Sequence, residues 1–142
     1  MEPASMTCRA HIDNLDEVIG FVEARADRFG LDDKKKFGLL VAVEEAFVNI
    51  CRYAYQGAEG EVTLACTGDP DGFAVEIVDQ GISFDLLSLP DPDITAGILE
   101  REIGGLGVAF IRKLTDEVSY RRQGGQNILR MALHVPPGGA EA

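Results

Sequence analysis

Histidine is scarce in this chain, cysteine is scattered and positive charge is in short supply, and each shortage removes a class of function. The two histidines, His11 and His134, both fall in strand-like stretches and are too few for a zinc centre. The three cysteines, Cys8, Cys51 and Cys66, are an odd number at wide spacing, with no CxxC pair. Cys51 and Cys66 sit on apolar faces, so buried free thiols in a reducing compartment are expected rather than disulfides. Only 13 Lys and Arg stand against 24 Asp and Glu, a net charge of −11. That balance opposes nonspecific attraction to nucleic acid or an anionic membrane. A neutral or basic protein partner, or a ligand that brings its own cation, suits it better. No apolar run approaches a membrane span, and MEPASMTCRA lacks the apolar core of a signal peptide, so a cytoplasmic protein is expected. There are no repeats and no low-complexity segments.

What is present suffices for a real core. The 142 residues, 46% hydrophobic and 26% charged, read as one domain, with residues 136–142 (PPGGAEA) as a frayed tail. Residues 5–12 predict a short strand. Asp13 or Asn14 caps a first helix whose stripe is Leu15, Val18, Ile19, Val22, Ala26 and Phe29, ended by Gly30. Asp32 caps a second helix running to about Tyr55. Strands at 61–67 and 73–78 follow, joined by the turn GDPDG. A third helix is expected at 106–114, then strands at 117–122 and 127–135 around Gly124-Gly125. Leu129, Met131, Leu133 and Val135 form the inner row of the last strand.

The second half of the second helix, VAVEEAFVNICRYAY, organises the rest. At 3.6 residues per turn, Phe37, Leu40, Val41, Val43, Phe47, Val48, Ile50, Cys51 and Ala54 cover most of its circumference. One narrow sector holds Gly38, Ala42, Glu45, Asn49 and Arg52. Glu45 and Asn49 lie one turn apart, so their Cβ atoms are roughly 5–6 Å from each other. A carboxylate and a carboxamide flanked by small residues suggest a cleft wall, although an ordinary polar stripe is the plainer alternative. Glu44, within the apolar arc, belongs near a helix edge.

Two further features carry polar chemistry. Alternation puts Val62, Leu64 and Cys66 on one face, and Phe73, Val75, Ile77 and Asp79 share a row, so an acid ends the core-facing row. It needs a donor, either a local bond to the turn at Gly81 or a ligand. Residues 81–105 lose regularity, with Pro90, Pro92 and one helical turn expected at 95–101, a length usually reserved for function or mobility. Gly104, Gly105 and Gly107 then feed a helix N-terminus, which suits a phosphate or merely punctuates the loop. No Lys-Ser/Thr follows, and Phe110 occupies the third-glycine place, so neither a Walker A loop nor a dinucleotide fingerprint is present. The order β-α-α-β-β-loop-α-β-β predicts an α+β fold, a two-layer sandwich of one mixed, mostly antiparallel sheet with helices on one face.

The chain resembles the ATP-binding domain shared by gyrase, Hsp90, histidine kinases and MutL, and within it the small bacterial anti-sigma serine/threonine kinases of partner switching. EEAFVNICRYAY (44–55) is similar to that family's N box, VDQGISFD (78–85) to its adenine box, and EIGGLGVAFIRKLTDEV (102–118) to its glycine box. GGQN (124–127) stands where its last box falls. The resemblance implies a Bergerat-type ATP-binding fold and Mg²⁺-ATP as cofactor. It implies Glu45 as general base, Asn49 as the Mg²⁺ ligand, and Asp79 as acceptor from the adenine 6-amino group. Gly81 would pass close to the base, and Gly105, Leu106 and Gly107 would offer phosphate-binding amides. Asn127 stands near a position often held by Thr, close to adenine. Residues 86–103 would be the ATP lid. Tyr53 departs from the usual His, and the lid has no lysine. Arg52 or Arg101 could assist the phosphates, although surface salt bridges are the plainer role.

The implied function is phosphorylation of a serine or threonine on a small antagonist protein, with a sigma factor as the partner silenced alternately and a homodimer as the assembly. The alternative is an ATP/ADP-dependent protein-binding module without phosphoryl transfer. A detached histidine-kinase ATP domain would be expected to sit beside a dimerisation helix with a phosphoacceptor His.

Overall fold

The computed structural model describes residues 3–88 and 105–135. Most of the expected lid, Arg101, the turn at 95–101 and the tail at 136–142 lie outside the described residues. Five strands, β1 (Ala4–Arg9), β2 (Glu61–Asp69), β3 (Gly72–Asp79), β4 (Glu117–Gln123) and β5 (Gln126–His134), form one sheet in the order β1-β2-β3-β5-β4. The helices are α1 (Leu15–Phe29), α2 (Asp33–Asn49) and α3 (Gly105–Leu114).

Every strand pair among the described residues is antiparallel, which corrects the expectation of a mixed sheet. β3 and β4 run in the same direction, but β5 lies between them and pairs with both. Alternation sorts the two faces as expected. Val62, Leu64, Cys66, Phe73, Val75, Ile77, Met131 and Leu133 are buried with Val18, Val22, Leu39, Val43 and Phe47 of the helices. The opposite face carries Thr7 and Thr63, whose hydroxyls hydrogen-bond at 2.8 Å, and the Glu76–Arg121 ion pair. The result is the two-layer α+β arrangement.

Turn chemistry sets the registers. The β2–β3 strands extend further into their turn than expected, because the Asp69 carboxylate accepts from Asp71 N (2.8 Å) and Gly72 N (3.1 Å). At the β4–β5 turn Gly124 (φ +59°) and Gly125 (φ +76°) both adopt left-handed backbone. A two-residue hairpin loop of that kind favours glycine at both places.

Three local expectations fail. β1 stops at Arg9, so His11 lies beyond it, at the start of a 3₁₀ turn (Ile12–Asn14), where its Nδ1 accepts from Asp13 N. Asn14 occupies the N-cap position of α1 but makes no side-chain cap bond, its Nδ2 donating instead to Arg9 O at 3.0 Å. On α2, Phe37 is 70% exposed whereas Gly38 and Ala42 are buried. The small-residue sector is where α3 packs, and a Cβ on Gly38 would lie 3.5 Å from Leu114. Close helix contact needs small residues, and sequence periodicity alone cannot say which sector a partner helix will take. Asp32 does cap α2, accepting from Lys35 N at 2.8 Å.

The three cysteines are free. Burial pushes the Cys66 thiol up to about 12 and the Cys51 thiol up to about 11, so both stay protonated at neutral pH. Cys66 should therefore react with Ellman's reagent only as the protein unfolds. Rapid labelling of Cys66 in the native state would contradict the packing described for β2.

Candidate functional site

α2 ends in a way that exposes one acceptor. Asn49 is 8% exposed, and its Nδ2 donates to Glu45 O at 2.8 Å. A carbonyl only accepts, so this bond fixes the amide orientation and leaves Oδ1 as the acceptor on the other side. The next turn, Ile50–Ala54, widens to a π-helix, a form often found at functional sites. Its last carbonyl, Ala54 O, accepts from Ile82 N at 2.9 Å. Tyr55 completes the join, its hydroxyl accepting from Gln80 N (2.8 Å) and donating to Glu61 O (2.5 Å). The end of α2 is thus tied to the segment just after β3.

That segment begins with Asp79, 4% exposed at the end of the inward row. Its Oδ1 accepts from Gly81 N (2.9 Å) and from Asn127 Nδ2 (2.9 Å). The local bond to Gly81 is therefore real, and it coexists with capacity for a ligand, because both bonds fall on one oxygen. A Cβ on Gly81 would collide with Ala54 O, so glycine is required there by the approach of the α2 terminus. Asn127 is 5% exposed. Its Nδ2 also donates to Ile82 O (2.7 Å), and its Oδ1 accepts from Tyr120 OH (2.5 Å) and Phe84 N (3.4 Å). Arg122 Nη1 donates to Gly81 O at 2.8 Å.

Asn49, Asp79, Asn127 and Tyr120 line one pocket, whose walls are otherwise Ala46, Ile50, Ala54, Ile77, Ile82, Phe84 and Leu129. A slot with apolar sides and a buried carboxylate that still has lone pairs to offer suits a flat ring bearing an N–H donor.

Glu45 is half-buried one turn before Asn49. Burial pushes its carboxyl up, Glu44 pushes it further, and the exposed Arg52 partly restores it. A carboxyl raised in the folded state is easier to protonate there, so its contribution to stability is greatest below its ordinary value of 4.5 and declines as pH rises through the higher folded value. Glu45→Gln should therefore raise the melting temperature at neutral pH, and the gain should fade as pH falls through the raised folded value toward 4.5. A Glu45→Gln variant less stable than the parent at pH 7 would contradict this electrostatic picture.

The structure brings Asn49, Asp79 and Asn127 to one pocket, with Gly81 bonded to Asp79, whereas Glu45 lies one turn from Asn49 and does not line that pocket. Gly105, Leu106 and Gly107 form the first turn of α3. Leu114, at the other end, packs near Gly38 early in α2, and the two helices lie along one another. Only the direction toward Asn49 leaves α2 long enough for that, so the α3 N-terminus points to the Asn49 end. Sequence reasoning missed Tyr55, Tyr120 and Arg122. The two-residue Gly124-Gly125 loop held a signal for Tyr120, since it pairs Tyr120 with Leu129 and puts both in the inward row.

The profile of the histidine kinase-like ATPase domain matches residues 8–133. The chain is 29% identical over 108 residues to the serine-protein kinase RsbW of Bacillus cereus strain G9842, covering 73% of this chain and 68% of that protein. It is 31% identical over 109 residues to the RsbW of Listeria monocytogenes, covering 73% and 69%. The crystal structure of the RsbU and RsbW domains of a Mycobacterium tuberculosis protein superposes with a TM-score of 0.64 at 16% identity, over 96% of this chain and 34% of that one, and so speaks for the fold. The chain belongs to the histidine kinase-like ATPase domain family, and within it to the bacterial anti-sigma serine-protein kinases of the RsbW kind. Among the described residues, no helix is long and apolar enough to cross a membrane.

Proposed function

We propose that this protein binds Mg²⁺-ATP and transfers the γ-phosphoryl group to a serine or threonine of a small antagonist protein, alternating with capture of a sigma factor. The observation that carries the reading is Asp79, a buried carboxylate with one oxygen held by protein N–H groups and the other left for a donor, in an apolar slot beside Asn49. The adenine 6-amino group is such a donor, and the apolar walls suit its ring. Gly105, Leu106 and Gly107 would supply backbone N–H groups to the phosphates from the first turn of α3.

Among the described residues, no three His, Cys, Asp or Glu gather to hold a metal. Asn49 Oδ1 would be the protein oxygen offered to Mg²⁺, a hard cation that prefers oxygen ligands and keeps several waters. When bound, it would supply charge neutralisation at the phosphates. Glu45, one turn from Asn49, orients the acceptor hydroxyl and takes its proton, and its raised carboxyl makes it a better base than a solvated glutamate. The antagonist, the sigma factor and a homodimer belong to this same reading. Asn127 serves it indirectly, since its amide is already occupied by protein groups.

The test is to isolate partners from the source cell in Mg²⁺-ATP and in Mg²⁺-ADP, then incubate each with the protein and γ-labelled ATP. Label on a serine or threonine of one partner is expected, with a different partner retained in ADP. ATP-dependent capture of a partner that never acquires label would instead support a binding module.

A further inference from the structure

Every hydrogen-bonding capacity of the Asn127 amide is taken by protein, with two donors spent on Asp79 Oδ1 and Ile82 O, and its oxygen on Tyr120 OH and Phe84 N. Flipping the amide would set its oxygen against two acceptor oxygens and its NH₂ against the Phe84 N–H, so only one orientation is supported. Asp79 Oδ1 receives two N–H groups in that orientation, one from Asn127 and one from Gly81. The carboxylate is consequently held against rotation from two sides, by side chain and by backbone. Tyr120 and Asn127 both line the pocket, yet their polar atoms are directed at each other and at Asp79.

We infer that the Tyr120–Asn127 pair is a specificity device that aims Asp79 at a 6-amino purine and rejects a 6-oxo purine. The inference rests on the adenine reading above and names the residues that make the pocket choose. A 6-oxo purine presents an acceptor oxygen where adenine presents its amine, and N1–H beside it. A mobile carboxylate would swing to meet N1–H and recover most of the lost binding. A carboxylate clamped by Asn127 cannot, so the oxo group meets a second acceptor and neither is satisfied. Sites built to bond a particular group reject its analogue because the buried partner is left unpaired. Tyr120 acts one step back, as a positioning residue, by holding the amide that holds the carboxylate.

The test compares Mg²⁺-ATP with Mg²⁺-ITP, which differ only at the 6-position and the N1 proton, by titration on the full chain. The wild type should prefer ATP strongly. Tyr120→Phe keeps the ring but deletes the hydroxyl, and Asn127→Leu keeps the volume but deletes the amide. The ATP-to-ITP affinity ratio should fall about tenfold in Tyr120→Phe, the weight of one hydrogen bond of ordinary strength, and further in Asn127→Leu. Should Asn127→Leu fail to fold, Tyr120→Phe decides alone. A merely structural role would weaken both nucleotides together and leave the ratio unchanged, which overturns the inference. A wild type that binds both nucleotides equally also overturns it while leaving nucleotide binding intact. Binding of neither nucleotide overturns the adenine reading itself.

Discussion

Replacing Glu45 with glutamine should lower phosphoryl transfer to the protein partner by about 10²–10⁴-fold, the usual weight of a general base. The substitution keeps the shape of the side chain and the helix, while removing the charge and most of the basicity. Asn49 is held by its bond to the Glu45 backbone carbonyl, which the change leaves in place. Mg²⁺-ATP affinity should accordingly stay close to that of the parent, and the loss should appear in kcat. The same variant is expected to be more stable at neutral pH, because a desolvated carboxylate repelled by Glu44 has gone. Gain of stability with loss of turnover is the pattern of a residue kept for chemistry. Transfer unchanged by Glu45→Gln, measured with labelled ATP and the cognate partner, would remove Glu45 from the role of base.

Asp79→Asn should weaken binding of any adenine nucleotide by at least about tenfold, with or without Mg²⁺, since the new amide meets at least one hydrogen-bonding conflict whichever way it turns. With its NH₂ toward the pocket, it opposes the adenine amine. With its NH₂ inward, it opposes Gly81 N and Asn127 Nδ2, which now donate to Asp79 Oδ1 at 2.9 Å. The contrasting variant is Asn49→Ala, which should lose only the Mg²⁺-dependent part of the affinity. Titrations of both variants with and without the metal separate the base end of the site from the phosphate end. An Asp79→Asn protein with unchanged ATP affinity would contradict the placement of adenine.

Much of this architecture is written in short-range patterns. The parity that puts Asp79 in line with Phe73, Val75 and Ile77 follows from a period of two, and all four prove buried. Glu45 and Asn49 share a helix face because four residues make about one turn. The hairpins are legible because their loops contain residues suited to left-handed or Asx-type backbone. What escaped reading depends on partners distant in the chain. That Gly38 and Ala42 are buried while Phe37 is exposed was decided by where α3 lands, and nothing within α2 encodes that. Asn14 looked like a helix cap, but its amide found Arg9 O first. The Asn127 network needs β3, β4, β5 and the segment after Asp79 all in place, so composition and spacing placed Asn127 near the base without revealing that its amide is already occupied.

Binding of Mg²⁺-ATP to the purified full chain, followed by titration calorimetry and by thermal unfolding at increasing nucleotide, tests the central claim most directly. Saturable binding of one ATP per chain is predicted, strengthened by Mg²⁺ and much weaker for a nucleotide without the 6-amino group. The melting temperature should climb with ligand, because a native-state ligand adds about 2.7 kcal/mol of stability at a hundred times its Kd. No saturable heat and no shift in unfolding at millimolar Mg²⁺-ATP would contradict the account at its root.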